Sequence, residues 1–152
     1  MIDIRMYGYV EINIKNQVGE FTFDNWKAII RLDRWTDYGL FYNLFYESHG
    51  KHFIPIAANR GLPKDATPET IEIIGHITPK TWISFDEIKK NDWNEQRLHP
   101  EDNDKDHLGL TRREHLSSFS KMLFSLMNTL GKEFGDENVR MVVGLFDSCL
   151  DG

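Results

Sequence analysis

IRMYGYVEINI, residues 4–14, alternates along its whole length: Ile4, Met6, Gly8, Val10, Ile12 and Ile14 fall on one side, and Arg5, Tyr7, Tyr9, Glu11 and Asn13 on the other. A period of two over that distance describes a half-buried β-strand, because successive side chains leave a strand on opposite faces. Working outward, NWKAIIRLD (25–33) predicts a second strand, with β-branched Ile29 and Ile30 at its centre, after a turn around Asn16 to Gly19. At the other end of the chain VRMVVGLFD (139–147) predicts another, with Val139, Met141, Val143 and Leu145 on one face.

The intervening chain reads as short helices and brief extended pieces. Asp37 caps YGLFYNLFYES (38–48), which Gly50 ends, and HFIPIA (52–57) is extended because Pro55 pushes Ile54 out of the helical region. Thr67 followed by Pro68 starts a helix that stops before Pro79. KTWIS (80–84) is a brief strand, and Ser84 with Glu87 forms a capping box for FDEIKKNDW (85–93). Residues 94–110 are polar and read as a surface loop. A second capping box, Thr111 with Glu114, opens the longest helix, which runs to about Gly131. Its apolar positions Leu116, Phe119, Leu123, Leu126 and Leu130 step by three and four, while Met122, Phe124 and Met127 widen the apolar surface beyond that seam. The order predicts one α+β domain over 1–152, with a mostly antiparallel sheet made by the N-terminal strands and the C-terminal strand, packed by one long and several short helices. The surplus apolar groups predict a homodimer or higher homo-oligomer with Phe124 and Met127 at the contact.

Composition narrows the function. A net charge of -6 in 152 residues argues against nucleic acid as a partner, since such proteins need a Lys/Arg surface to displace counterions from phosphates. Residues 1–60 carry 7 Lys/Arg and 7 Asp/Glu, so the whole imbalance lies beyond them, and an anionic small molecule is least repelled by the N-terminal part. The single cysteine, Cys149, permits no intrachain disulfide and suggests a reducing, cytoplasmic setting. No apolar run approaches the roughly 18 residues of a membrane span, and the start of the chain lacks the apolar core of a signal peptide.

Two stretches pair arginine with flat or amide side chains. RLDRWTDY (31–38), whose arginines are Arg31 and Arg34, sets Arg34, Trp35 and Tyr38 close together, the combination that stacks on a base and holds a phosphate; core packing of the aromatics is the competing reading. In PIAANRGLPKDATPE (55–69) a Gly61–Pro63 turn aims Arg60, whose planar fork suits phosphate, and sets the Asn59 amide beside it; a salt bridge to Asp33 or Asp37 accounts for Arg60 equally well. Trp82 is a further platform or core ring, and His76 a further hydrogen-bonding ring or helix-end residue. These seven residues are the candidate ligand site.

Metal and catalytic signals are weak. Asp102, Asp104 and Asp106 hint at calcium, but the sixth position of such a loop is His107 where glycine is needed and the twelfth is Arg113 where glutamate is needed. A looser site from His99 to His107 and the pair His49 and His52 complete the metal candidates, and neither forms a recognised ligand set. Neither a nucleophile elbow nor a phosphate loop occurs, no cofactor motif is present, and Cys149 has no basic neighbour in sequence, so an enzyme is the weaker reading.

RWTDYGLFYNLF (34–45), PIAANRGLPKDAT (55–67), HITPKTWISFDEI (76–88), Asp92–Trp93 and VRMVVGLFDS (139–148) together resemble a family of small proteins of phages and prophage-bearing bacteria. Lys80–Thr81 stands where that family more often has a serine before the tryptophan. The resemblance implies a phage-type accessory protein and carries no established activity with it. Joined to the arginine and aromatic content, it implies a counter-defence sponge that sequesters a phosphate-bearing, nucleotide-like signal molecule without catalysis. The alternatives are a module that inhibits a host protein by direct contact, and a metal-assisted phosphodiesterase using the His99–His107 loop.

Overall fold

The computed structural model describes residues 4–46, 53–96 and 110–147. The alternating stretch is strand β1 (Ile4–Asn13), and it lies inside a four-stranded sheet rather than at its edge. It pairs antiparallel with β4 (Trp26–Trp35) on one side and with β6 (Val139–Asp147) on the other, and β5 (Lys80–Ser84) closes the order β4-β1-β6-β5. The fold is α+β with an antiparallel sheet. The expected turn near Asn16 is longer than a turn: β2 (Asn16–Val18) and β3 (Phe21–Phe23) pair as a two-stranded ribbon that carries the β1–β4 hairpin outward. Asn13 organises the junction, its Oδ1 accepting from the N–H groups of Lys15 and Asn25.

Period two decides which side of the sheet is dry. Ile4, Met6, Val10 and Ile12 are buried with Val139, Met141, Val143 and Leu145 of β6. Helices α1 (Tyr38–Leu44), α3 (Phe85–Lys90) and α4 (Ser118–Phe134) supply Leu40, Phe41, Leu44, Phe85, Ile88, Leu123 and Met127 to the same cluster. Asp37 caps α1, accepting from the Leu40 N–H at 3.2 Å, and its other oxygen accepts from the hydroxyls of Ser117 and Ser120 at the start of α4. One carboxylate thus sits at the first turns of two helices, where backbone N–H groups lack intrahelical partners.

The second face carries Tyr7, Tyr9 and Glu11, and the short helix α2 (Pro68–Ile74) covers part of it. Glu11 is fully buried there. Its Oε1 meets the Arg140 guanidinium at 2.8 Å, while Oε2 accepts from the Thr67 N–H at 3.0 Å and from the hydroxyls of Thr67 and Thr70 at 2.7 and 2.6 Å. Arg140 in turn holds Asp65 at 2.8 Å and lies over the Trp26 ring. At the other end of α2 the chain approaches Gly144 so closely that a Cβ there would lie 2.9 Å from Ile77 and 3.2 Å from Ile74. Only glycine lets the end of α2 settle on the strand.

Three expectations are corrected. The Thr111–Glu114 box exists, with Thr111 Oγ1 and Glu114 Oε1 3.0 Å apart, but it closes a single turn; α4 begins at Ser118 behind an Ser117 cap and continues to Phe134, past Gly131. The extended stretch expected over 52–57 ends early, since the chain turns at 56–59. The buried stripe of α4 is Ser120, Leu123, Met127 and Gly131, so small residues let the helix sit close to its neighbours and the large Phe119, Met122 and Leu126 face outward. Met127 is wholly buried and so is not available as a dimer contact, while Phe124 is half-buried against Trp93. Met127→Ala should therefore lower unfolding free energy by about 2 to 5 kcal/mol in urea titration, and Leu126→Ala, at 46% exposure, should change it by less than about 0.5 kcal/mol.

Candidate ligand-binding cleft

β4 does not meet β1 in simple register. Met6 pairs with Trp35 and Gly8 with Leu32, so Tyr7 faces two residues, Asp33 and Arg34. Such a bulge bends the strand and re-aims its side chains. Arg34 absorbs the extra residue at φ 51°, a left-handed conformation that costs a non-glycine residue roughly 1 to 3 kcal/mol. Its exposed side chain makes no ion pair among the described residues. Trp35 lies half-buried against the core, edge-on to Phe119 with centroids 6.3 Å apart.

Beside this bulge, on the α2 side of the sheet, opens a cleft of about 600 Å³. Tyr7, Arg31, Asp33 and Phe146 come from the strands; Ile73, His76, Ile77 and Thr78 come from the end of α2 and the segment after it; Asp147 lies at the edge. Register explains the strand contribution: Tyr9 is paired with Arg31 and Tyr7 with Gly144, so alternate residues of three strands face the same space. The Arg31 side chain is exposed and has no hydrogen-bond or ion-pair partner among the described residues. Asp147 is held by the Tyr46 hydroxyl at 3.4 Å. Tyr46, just past the end of α1, closes a row of rings in which Tyr38 stacks on Tyr42 and Tyr42 meets Tyr46 edge-on. Burial first, then the electrostatic influence of Tyr38 and Asp147, pushes the Tyr42 hydroxyl above the usual phenol range, which keeps it neutral.

The candidate residues separate into groups. His76 lines the cleft, and Arg34 and Trp35 line a smaller hollow that shares Asp33 with it. Tyr38 belongs to the tyrosine row. Asn59, Arg60 and Trp82 lie elsewhere, at the β5 edge. Arg60 is paired with Glu87, not with Asp33 or Asp37: its two terminal nitrogens reach the two carboxylate oxygens at 2.9 and 2.7 Å and also donate to the carbonyls of Trp82 and Ile56. The guanidinium lies 5.3 Å from the Trp82 ring centroid. The turn does aim Arg60, with Asn59 at φ 54° and Gly61 at φ 79°, but it aims it at a carboxylate. Tyr7 and Phe146 were not singled out by sequence reasoning; their signal was that each alternates with the dry-face residues and carries a ring to the second face. Among the described residues no cluster of three or more His, Cys, Asp or Glu could hold a metal. The segments containing His49, His52, His99–His107 and Cys149 lie outside the described residues. No described helix is long and apolar enough to cross a membrane.

No family model, curated protein or solved structure matches the chain.

The hydrogen bonds from Arg60, and those from Ser84, hold the Glu87 carboxyl below the usual range against a smaller opposing effect of burial. Its contribution to stability is present above the unfolded glutamate value of about 4.3 and is lost as the pH falls through the lower folded value. Arg60→Ala should lower unfolding free energy by about 1 to 2 kcal/mol at pH 7, and the gap from wild type should close as urea titrations are repeated at falling pH below about 4. A gap independent of pH would assign the loss to the carbonyl hydrogen bonds of Arg60 and its stacking on Trp82 and not to Glu87.

Proposed function

We propose that the protein binds a phosphate-bearing, nucleotide-like small molecule in the cleft and holds it without turning it over. The observation that supports this is the convergence of the unpaired Arg31 guanidinium with the rings of Tyr7 and Phe146 in a space of about 600 Å³, within the size range of small-molecule sites. Arg31 is suited to a phosphate, which it can grip through two parallel N–H donors. The rings offer flat apolar surface to a base, and Asp33, His76 and Thr78 offer acceptors and donors to base or ribose edges. With Asp33 and Asp147 close by, the cleft favours a ligand that presents its phosphate to Arg31 and its hydrogen-bond donors to the carboxylates. In the phage-type setting implied by the sequence resemblance, such a protein would act as a sponge for a host immune nucleotide signal. Isothermal titration against cyclic dinucleotides and ADP-ribose derivatives should give heat with at least one of them. Arg31→Ala should weaken that binding by about 10- to 100-fold, the loss expected for a charge-assisted contact, with the urea midpoint unchanged. Uniformly absent heat would remove the proposal.

A second reading, a protein-interaction module, is favoured by the ribbon. Val18 opposes Phe21, with Phe23 two residues on, and all three lie on one ribbon face at 63%, 79% and 47% exposure. Large exposed apolar groups clustered in this way mark contact surfaces. The outward stripe of α4, Phe119, Met122 and Leu126, takes the place of the buried Met127 as the proposed seat of a homodimer. Light scattering separates these ideas: Phe119→Glu should convert a dimer to a species near 17.8 kDa, whereas a wild type already of that mass would remove the dimer. Phe21→Ser should leave nucleotide titrations unchanged and abolish capture of a host protein if the ribbon is the contact.

A further inference from the structure

A second groove, of about 520 Å³, lies in the helical layer, on the side of the sheet away from the cleft, and shares no lining residue with it. One wall is a stripe of α4: Lys121, Phe124, Ser125 and Asn128, spaced three, four and seven residues from the first and therefore on one helix face. The stripe runs about 10 Å along the helix axis. The facing wall holds Trp93, Arg113 and Leu116. It is fixed in place by backbone: the Arg113 N–H donates to the Trp93 carbonyl at 3.0 Å, and the Trp93 indole N–H donates to the Ile88 carbonyl at 2.7 Å. Trp93 and Phe124 meet at 5.7 Å with planes inclined 55°, both half-buried, so each keeps ring surface toward the groove.

The charge of this groove runs against that of the chain. In a sequence with 24 acidic and 18 basic residues the lining contains two cations and, among the described residues, no carboxylate. Of the acids nearest in sequence, Asp92 accepts from the Asn94 N–H at 3.0 Å, Glu95 is paired with the Arg112 guanidinium at 2.6 Å, and Glu114 accepts from the Thr111 hydroxyl at 3.0 Å. Arg113 and Lys121 have no ion-pair partner among the described residues. Two unpaired cations beside aromatic surface favour an anion that also carries a flat ring, since charge attraction and ring contact act on the same molecule. Ser125 and Asn128 lie further along the stripe, and a primary amide both donates and accepts, which suits the edge of a heteroaromatic ring.

We propose that this groove is a separate binding site for a planar ring bearing a single anionic tail, of the phosphomonoester type. The tail sits between Arg113 and Lys121, the ring lies against Trp93 and Phe124, and Ser125 and Asn128 bond its far edge. Lys121 and Arg113 supply attraction that salt screens, because both are exposed.

The probes are adenosine 5′-monophosphate and flavin mononucleotide, followed on the full chain by NMR of the Trp93 indole N–H and the Asn128 side-chain amide. At least one probe should shift both signals and saturate below about 1 mM, an affinity reachable with a few such contacts. Adenosine and inorganic phosphate should each bind at least about tenfold more weakly than the preferred probe, because each lacks one of the two recognised parts. Lys121→Glu, a substitution on the exposed helix surface, should weaken binding by about tenfold or more and flatten its salt dependence. Arg31→Ala should leave it unchanged, so loss of cleft binding and loss of groove binding are read separately. The proposal is overturned if neither probe shifts Trp93 and Asn128, if Lys121→Glu binds as wild type does, if the neutral nucleoside binds as well as the phosphomonoester, or if Arg31→Ala removes the shifts.

Discussion

The fully buried Glu11–Arg140 pair is the constraint on which the second face depends. Both groups sit on adjacent central strands, and removing them from water carries a penalty of several kcal/mol per ion that only close geometry offsets. Here every strong acceptor direction of Glu11 is used, by Arg140 on one oxygen and by Thr67 and Thr70 on the other. The same Thr67 hydroxyl that donates to Glu11 accepts from the Thr70 N–H as the cap of α2. The capping of the helix and the solvation of the ion are therefore one network. Asp65 on the other side of Arg140 ties down the chain just before the helix. The position of α2, and so one wall of the cleft, follows from a carboxylate two strand-residues removed from Tyr9.

The sheet was legible in the sequence because its signal is local. Alternation in 4–14, a β-branched centre in 25–33 and a continuous apolar run at 139–147 each reflect the environment of a single strand, and central position on the sheet shows as burial of the last one on both faces. The caps at Asp37, Thr67 and Ser84 were legible for the same reason: each is a contact across three residues. What three-residue patterns cannot carry is which helix face turns inward. α4 has large apolar groups on several faces, and its orientation is decided by where small residues permit close approach, at Ser120 and Gly131, and not by where the bulk is greatest.

The site was less legible, since its residues meet through register. Arg60 looked like an anion hook because its turn chemistry is visible and its partner, Glu87, is 27 residues away on a helix that reads as simply capped. Glu87 performs both tasks, completing the Ser84 box and receiving the arginine fork. Arg31 was visible as one of two arginines in the 31–38 stretch, but not as the one that lines the cleft. Its run looked aromatic and mixed, and only the one-residue slip between Gly8 and Met6 determines that Asp33 and Arg34 both stand opposite Tyr7. A bulge leaves no compositional mark when its left-handed residue is an arginine and not a glycine.

The strand order β4-β1-β6-β5 also governs how the chain acquires its structure during synthesis. β1 and β4 form a hairpin early, from neighbouring sequence, and this hairpin has an open edge on its β1 side until β6 arrives. The closing contact between Glu11 and Arg140 spans 129 residues, so loop closure over nearly the whole described chain precedes completion of the sheet. While a ribosome is still making the segment before β6, the backbone N–H and C=O groups along one side of β1 stay unsatisfied by their final partner, beside an apolar face containing Ile4, Met6 and Val10. A nascent chain in that state is a template for pairing with its neighbours on the same message.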